Sequence, residues 1–207
     1  MTAFPLRRTA GLLLAAGAGT RLGRGPKALL PFRGRTLVEV LAEVLLDGGC
    51  REVVVVLGAG AADVRARTDL APHRVVENQA WAGGMGSSFR LGLESVEPGD
   101  DVLVALVDQP GLTAETVARL LRAHRPGRVT AAAYRDAAGN LRRGQPLLLD
   151  ATLRGEAAAA AGGDAGARRF LQAHPELIDL VDCTLPPGSG QSGGEDVDTP
   201  DQLHLLE

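Results

Sequence analysis

A chain of 207 residues with 45% hydrophobic and 23% charged side chains can bury one sizeable core, which excludes disorder throughout. Lys+Arg 22 against Asp+Glu 25 leave a formal charge of −3, and aromatic residues are only 3%. That balance excludes a nucleic-acid partner held by bulk positive charge or by stacking platforms.

Arg7 and Arg8 precede a short apolar run at residues 11–16. The run is too short to cross a bilayer and leads into a glycine loop rather than a cleavage site, so a cytoplasmic protein without membrane association is expected. The run reads as a buried strand. Residues 36–47 carry apolar side chains at helical spacing (Leu37, Val40, Leu41, Val44, Leu45) and stop at Gly48-Gly49. Residues 52–57 form a second buried strand, 61–68 a helix, 74–77 a short strand, 87–96 a helix and 101–107 a third long strand. A helix over 113–124 has Thr113 as its N-cap. Strands alternating with helices predict a mainly parallel sheet covered on both faces.

After Gly127 the pattern changes. Residues 128–134 and 145–149 read as strands around a polar excursion at 135–144. Residues 157–163 are an alanine-glycine stretch, read as a mobile loop or a frayed helix. Residues 186–194 read as a surface loop before a last helix at 201–206. One domain over 1–207 is expected, with no linker that would leave two separate cores.

The strongest chemical signal is Leu14-Ala15-Ala16-Gly17-Ala18-Gly19-Thr20-Arg21-Leu22-Gly23, with Lys27 beyond Pro26. A buried strand runs into a glycine loop carrying two cations; glycines let backbone N–H groups approach an anion and the cations neutralise it. The spacing fits neither the dinucleotide fingerprint, whose third glycine would come one residue earlier, nor the Walker loop, which needs Gly-Lys-Ser/Thr. The second signal is Asp108 before Gln109-Pro110: a carboxylate at the carboxyl edge of a buried strand suits a hard divalent cation. The third is Glu195-Asp196-Val197-Asp198-Thr199-Pro200, acids ahead of an N-cap threonine and a first-turn proline. Asn78 through Ser88 set glycines and hydroxyls at a helix start, with room for a base or an anion. Trp81 within it is read as packing. Arg142, Arg143 and Gln145 border the last strands as candidate contacts for an anionic second substrate. Cys50 and Cys183 are too few and too far apart for a zinc site or a disulfide scaffold and read as reduced thiols. His73, His124, His174 and His204 share no spacing and are read as structural.

Taken together and in this order, the Leu14–Lys27 loop, Asp108-Gln109-Pro110 and Asp196-Val197-Asp198-Thr199-Pro200 resemble the MobA-like NTP transferases. Gly84-Met85-Gly86-Ser87-Ser88 and residues 163–168 are similar to stretches of the molybdenum cofactor cytidylyltransferase branch. The resemblance covers about residues 10–205. It implies a single Rossmann-like α/β domain of the nucleotide-diphospho-sugar transferase type, with a nucleotide-binding half at about 10–125 and an acceptor-binding half at about 126–207, and CTP or GTP bound by Leu14, Ala15, Ala16, Gly17, Gly19, Arg21, Lys27, Asn78, Gly84 and Ser87. It implies catalytic roles for Arg21, Lys27 and Asp108, and Mg²⁺ (or Mn²⁺) on Asp108 and Asp198. It also implies a phosphorylated small-molecule acceptor at Gln145, Arg143 and Asp164, in a monomer or homodimer. The branch usually has Gly-His-Pro where this chain has Gly144-Gln145-Pro146, a departure that bears on the acceptor. Residues 186–194 form an insert unusual for the group.

Three rivals remain. A nicotinamide-dependent oxidoreductase calls for an acidic ribose reader after the second strand, which Leu57-Gly58-Ala59-Gly60 lacks. A nucleotide-binding module without turnover has no need of two metal carboxylates. The same chemistry with a sugar phosphate or phospholactate acceptor is the nearest alternative.

Overall fold

The computed structural model describes residues 8–185 and 194–206. In chain order, β1 (Thr9–Ala15) leads through the glycine loop to a small antiparallel ribbon, β2 (Pro31–Phe32) and β3 (Arg35–Thr36), and then to α1 (Leu37–Asp47). The chain continues through β4 (Val53–Leu57), α2 (Ala61–Arg67), β5 (Arg74–Glu77), α3 (Met85–Ser95), β6 (Asp101–Leu106) and α4 (Ala114–Ala123). It ends with β7 (Val129–Arg135), β8 (Leu141–Leu149), α5 (Arg154–Ala160), α6 (Arg168–Ala173), β9 (Ile178–Asp182) and a 3₁₀ segment at Pro200–Leu206.

Seven strands make one sheet in the order β5-β4-β1-β6-β8-β7-β9. Only β8 runs against the others, pairing antiparallel with both β6 and β7. The central strands are apolar on both faces because both faces are covered. Leu13, Val55 and Leu103 point to one side, into a core with Leu41 and Leu45 of α1 and Leu120 of α4. Their neighbours Leu12, Val54 and Val104 point to the other, against Phe89 and Leu93 of α3 and Phe170 of α6. This is the two-residue alternation of a strand expressed inside a continuous apolar run. No helix among the described residues is long and apolar enough to cross a membrane.

The helix starts are chemically specified. Glu39 accepts the Thr36 backbone N–H at 2.9 Å ahead of α1, and the Thr113 hydroxyl accepts the Thr116 N–H at 3.1 Å, as its N-cap reading expects.

Three expectations need correction. The polar excursion at 135–144 is not irregular throughout: β8 already begins at Leu141, and residues 141–143 pair with β7 alone. Where β6 no longer flanks the strand, polar side chains can stay in water, which hides the strand from an apolar pattern. The stretch at 157–163 is ordered: α5 runs to Ala160 with Ala157 fully buried. Its last carbonyls are capped by Arg90, whose guanidinium donates to Ala161 O at 2.6 Å and Ala158 O at 3.3 Å. Strand β9 and helix α6 were not anticipated. The expected last helix is a 3₁₀ segment, and residues 186–193 of the expected surface loop lie outside the described residues.

Candidate functional site

Strands β1, β4, β5 and β6 are parallel, so the segments that follow them gather at one edge of the sheet. The loop after β1 folds on itself, with the N–H groups of Leu22 and Gly23 donating to Gly19 O at 3.1 and 3.2 Å. Gly19 adopts φ +61°, and a Cβ there would stand 2.2 Å from Gly25 O, so no other residue fits this turn unchanged. The fold-back returns Lys27, at the start of a 3₁₀ turn, to the loop following β6.

There the Lys27 Nζ donates to Asp108 Oδ2 at 2.9 Å and also to Asp198 Oδ1. Two carboxylates 90 residues apart thus share one ammonium, and the Arg21 guanidinium stands 3.9 Å from Asp198 on the solvent side. Burial alone would lower the Lys27 pKa, but Asp108 and Asp198 outweigh it and hold the ammonium above its ordinary value. The segment carrying Asp198 is pinned by the Val197 N–H donating to Asp108 O at 2.8 Å and by the fully buried Val197 side chain. Asp196 accepts from Gln109 Nε2 at 2.7 Å. Burial pushes the Asp196 carboxyl up, the Gln109 hydrogen bond opposes that, and Asp108 and Asp198 add to it.

This donor set fits a hard divalent cation. Asp108 Oδ1 is buried without a hydrogen-bond partner, an unmet acceptor among clustered carboxylates, and carboxylate oxygens are the ligands such ions take.

Two cavities meet at this cluster. One, of about 300 Å³, is walled by the first loop (Ala16, Gly17, Lys27), by Trp81 and Gly84, and by Asp108. The other, of about 690 Å³, is bounded by Arg21, Arg143, Gln145, Arg168, Asp196 and Asp198. Asp108, Asp164, Met85 and Leu106 line both, so the carboxylate cluster stands at their junction.

Leu14, Ala16, Gly17, Lys27, Gly84 and Asp108 therefore stand on the wall of the first cavity, and Arg21, Arg143, Gln145, Asp164 and Asp198 on that of the second. Ala15 faces the core, and Gly19 shapes the turn. Asn78 and Ser87 bond each other beside the cavity: Asn78 Nδ2 donates to the Ser87 and Ser88 hydroxyls at 2.8 Å each, tying the end of β5 to α3. Gln109, Asp196 and Met85, which stand in the quoted motifs without an assigned role, and Trp81, read as packing, also line the cavities. Arg142 is engaged elsewhere, paired with Asp136 at 2.8 Å.

At the opposite end of β6, Asp101, His124 and Asp150 offer ligand atoms all within 4.8 Å of one another, although His124 reads as structural in sequence. These side chains also tie the fold together there. Asp101 accepts from Ala151 N, Asp150 from Thr152 N, and His124 pairs with the Thr130 hydroxyl.

The family model of the MobA-like NTP transferase domain matches residues 11–177. A curated relative, nicotine blue oxidoreductase of Paenarthrobacter nicotinovorans, is 57% identical over 198 residues, 95% of each chain. Among solved structures, Rv0371c of Mycobacterium tuberculosis H37Rv in complex with manganese superposes with a TM-score of 0.73 at 28% identity, covering 96% of this chain and 98% of that one. A nucleotidyl transferase from Methanothermobacter thermautotroptrophicus gives 0.77 at 23% identity over 96% of each chain, a likeness of fold.

Proposed function

Because the chain belongs to the MobA-like NTP transferase family, we propose that it transfers CMP from CTP to a phosphate-bearing small molecule of the molybdenum cofactor class, releasing pyrophosphate in the cytoplasm. GTP as donor, or a sugar phosphate or phospholactate as acceptor, would use the same arrangement. The supporting observation is the Lys27–Asp108–Asp198 cluster at the junction of two cavities. A donor in one cavity and an acceptor in the other meet at its charges.

The acceptor phosphate needs no general base, since its second pKa is about 6 and it is largely ionised at neutral pH. Its oxygen attacks the α-phosphorus, the bond to the pyrophosphate oxygen breaks, and no proton has to move. Bringing anions together is the difficulty. Arg21 and Lys27 supply the positive charge for the triphosphate and for the leaving pyrophosphate. Arg143, Gln145 and Asp164 stand on the wall that would orient the acceptor. Asp108 and Asp198 would hold Mg²⁺ or Mn²⁺, which supplies Lewis-acid neutralisation of phosphate charge.

The test is pyrophosphate release from CTP, GTP, ATP and UTP with Mg²⁺, with and without molybdopterin. Release that depends on molybdopterin and is fastest with CTP is expected; silence with every nucleotide and acceptor overturns the reading.

The 57% identity to nicotine blue oxidoreductase over nearly the whole chain favours a second reading. In it the first cavity holds the phosphates of a reduced nicotinamide dinucleotide, and a hydride passes to a conjugated acceptor in the second. Oxidation of NADH or NADPH by a quinoid dye without any divalent cation, and no release of pyrophosphate, would select it.

A further inference from the structure

Trp81 is the single tryptophan of the chain, and it is 37% exposed. It lines the first cavity together with Ala16, Ala82, Gly84 and Met85. Among the described residues, Lys27 is the cation on that wall, and it stands with Asp108. The cavity therefore sets one aromatic side chain on a wall that also carries Lys27 and the Asp108 and Asp164 carboxylates.

The strand order sets the scale of the separation between the Trp81 turn and the Lys27–Asp108 pair. Trp81 follows β5 and packs at the exit of β4, whereas Asp108 follows β6, with β1 between. Strands β4 and β6 are two spacings apart, about 10 Å. That is the reach of a ribose linking a base to its phosphates.

The turn bearing Trp81 is held in place. The Trp81 N–H donates to Asn78 O, and Asn78 Oδ1 accepts from the Ala80 N–H at 2.9 Å. A Cβ on Gly58 would stand 2.6 Å from the Trp81 Cβ and 2.8 Å from the Ala16 Cβ. Gly58 thus lets the end of β4, the first loop and the tryptophan turn close on one another. Asn78, expected at the nucleotide, also holds this turn through its own hydrogen bonds.

We propose that Trp81 is the base platform of the nucleotide site: the planar base lies against the indole while the phosphates lie toward Lys27 and Arg21. The inference rests on the first cavity taking the nucleoside triphosphate of the proposed transfer. Stacking a base on an aromatic side chain tolerates any base, so Trp81 sets affinity for the base as a class rather than the choice among bases.

The only tryptophan makes the test direct. Emission of the protein with Mg²⁺ is titrated with CTP, GTP and inorganic tripolyphosphate, and affinities are measured in parallel by calorimetry for the wild type, Trp81→Ala and Trp81→Phe. The nucleotides are expected to change the emission saturably, whereas tripolyphosphate, which has no base, competes with them and leaves emission unchanged. Trp81→Ala should weaken nucleotide binding on the order of ten-fold while tripolyphosphate binding stays the same. Trp81→Phe, which keeps an aromatic face, should restore most of the loss. Nucleotide binding by calorimetry with no emission change and undiminished affinity in Trp81→Ala overturns the platform alone. Equal weakening of nucleotide and tripolyphosphate in Trp81→Ala also overturns it. If the wild type binds no nucleotide, the platform and the nucleotide site fall together.

Discussion

Lys27 holds together carboxylates that would otherwise repel one another. Its side chain is 12% exposed, and its ammonium is shared by Asp108 and Asp198, so charge removal here acts where water screens poorly. Under the proposed chemistry, Lys27→Ala and Asp108→Ala should each lower turnover on the order of 10²–10³-fold, while both variants still unfold cooperatively. Steady-state pyrophosphate release and thermal melting check this pair of expectations, and near-normal turnover removes the residue from the mechanism. The two local partners, Lys27 in a glycine loop and Asp108 at a strand end, are legible in sequence because each motif is contiguous. The Gln109–Asp196 hydrogen bond is not, because 87 residues separate its members and nothing local in either states the pairing.

At the level of elements, close approach between helices is written into single glycines. Gly48 ends α1 where α4 crosses, and a Cβ there would stand 2.3 Å from the Cβ of Val117. A β-branched side chain in a core has no rotamer to escape into, so Gly48→Ala should destabilise by about 1–3 kcal/mol. Denaturant unfolding would show the loss as a lower midpoint at unchanged slope. Edge strand β9 is tied down by charge: Arg125 and Arg128 each donate to Asp179 Oδ1, at 2.8 and 2.7 Å. The Arg128 hydrogen bond, with help from Arg125, outweighs partial burial and holds the Asp179 carboxyl at about 2. Its folded pKa lies below the unfolded value, so this contribution is complete above about pH 4 and is lost as pH falls toward 2. Asp179→Asn should lower stability at neutral pH and flatten that acid step, as pH-dependent melting would show. Strands β1, β4 and β6 are legible because they are unbroken apolar runs. Strand β9 is not: Ile178-Asp179-Leu180-Val181-Asp182 lies half-buried at the sheet edge, where two aspartates serve arginines of other segments.

On the scale of the molecule, the charged cluster of the site is assembled by three stretches: the loop after β1, the turn after β6, and the segment at 194–199 that returns across the sheet edge. A divalent cation would bind carboxylates from the last two. Chelation should therefore abolish pyrophosphate release, and either Mg²⁺ or Mn²⁺ should restore it. CTP should raise the melting temperature more with the metal than without, by the linkage of ligand binding to folding. Nicotinamide oxidation that survives chelation would instead favour the oxidoreductase reading.

The alternation of apolar runs with amphipathic stretches determined the parallel α/β order by itself, because strand and helix periodicity are local properties of the chain. Glycine spacing and two cations likewise marked the first loop as a place for anions. Only the tertiary structure decided that β8 runs backward between β6 and β7, that Asp198 comes to Lys27, and that Trp81 stands at a cavity wall. Those outcomes depend on which distant segments share one sheet edge, and that is settled by burial of two whole faces of the sheet rather than by any stretch of neighbouring residues.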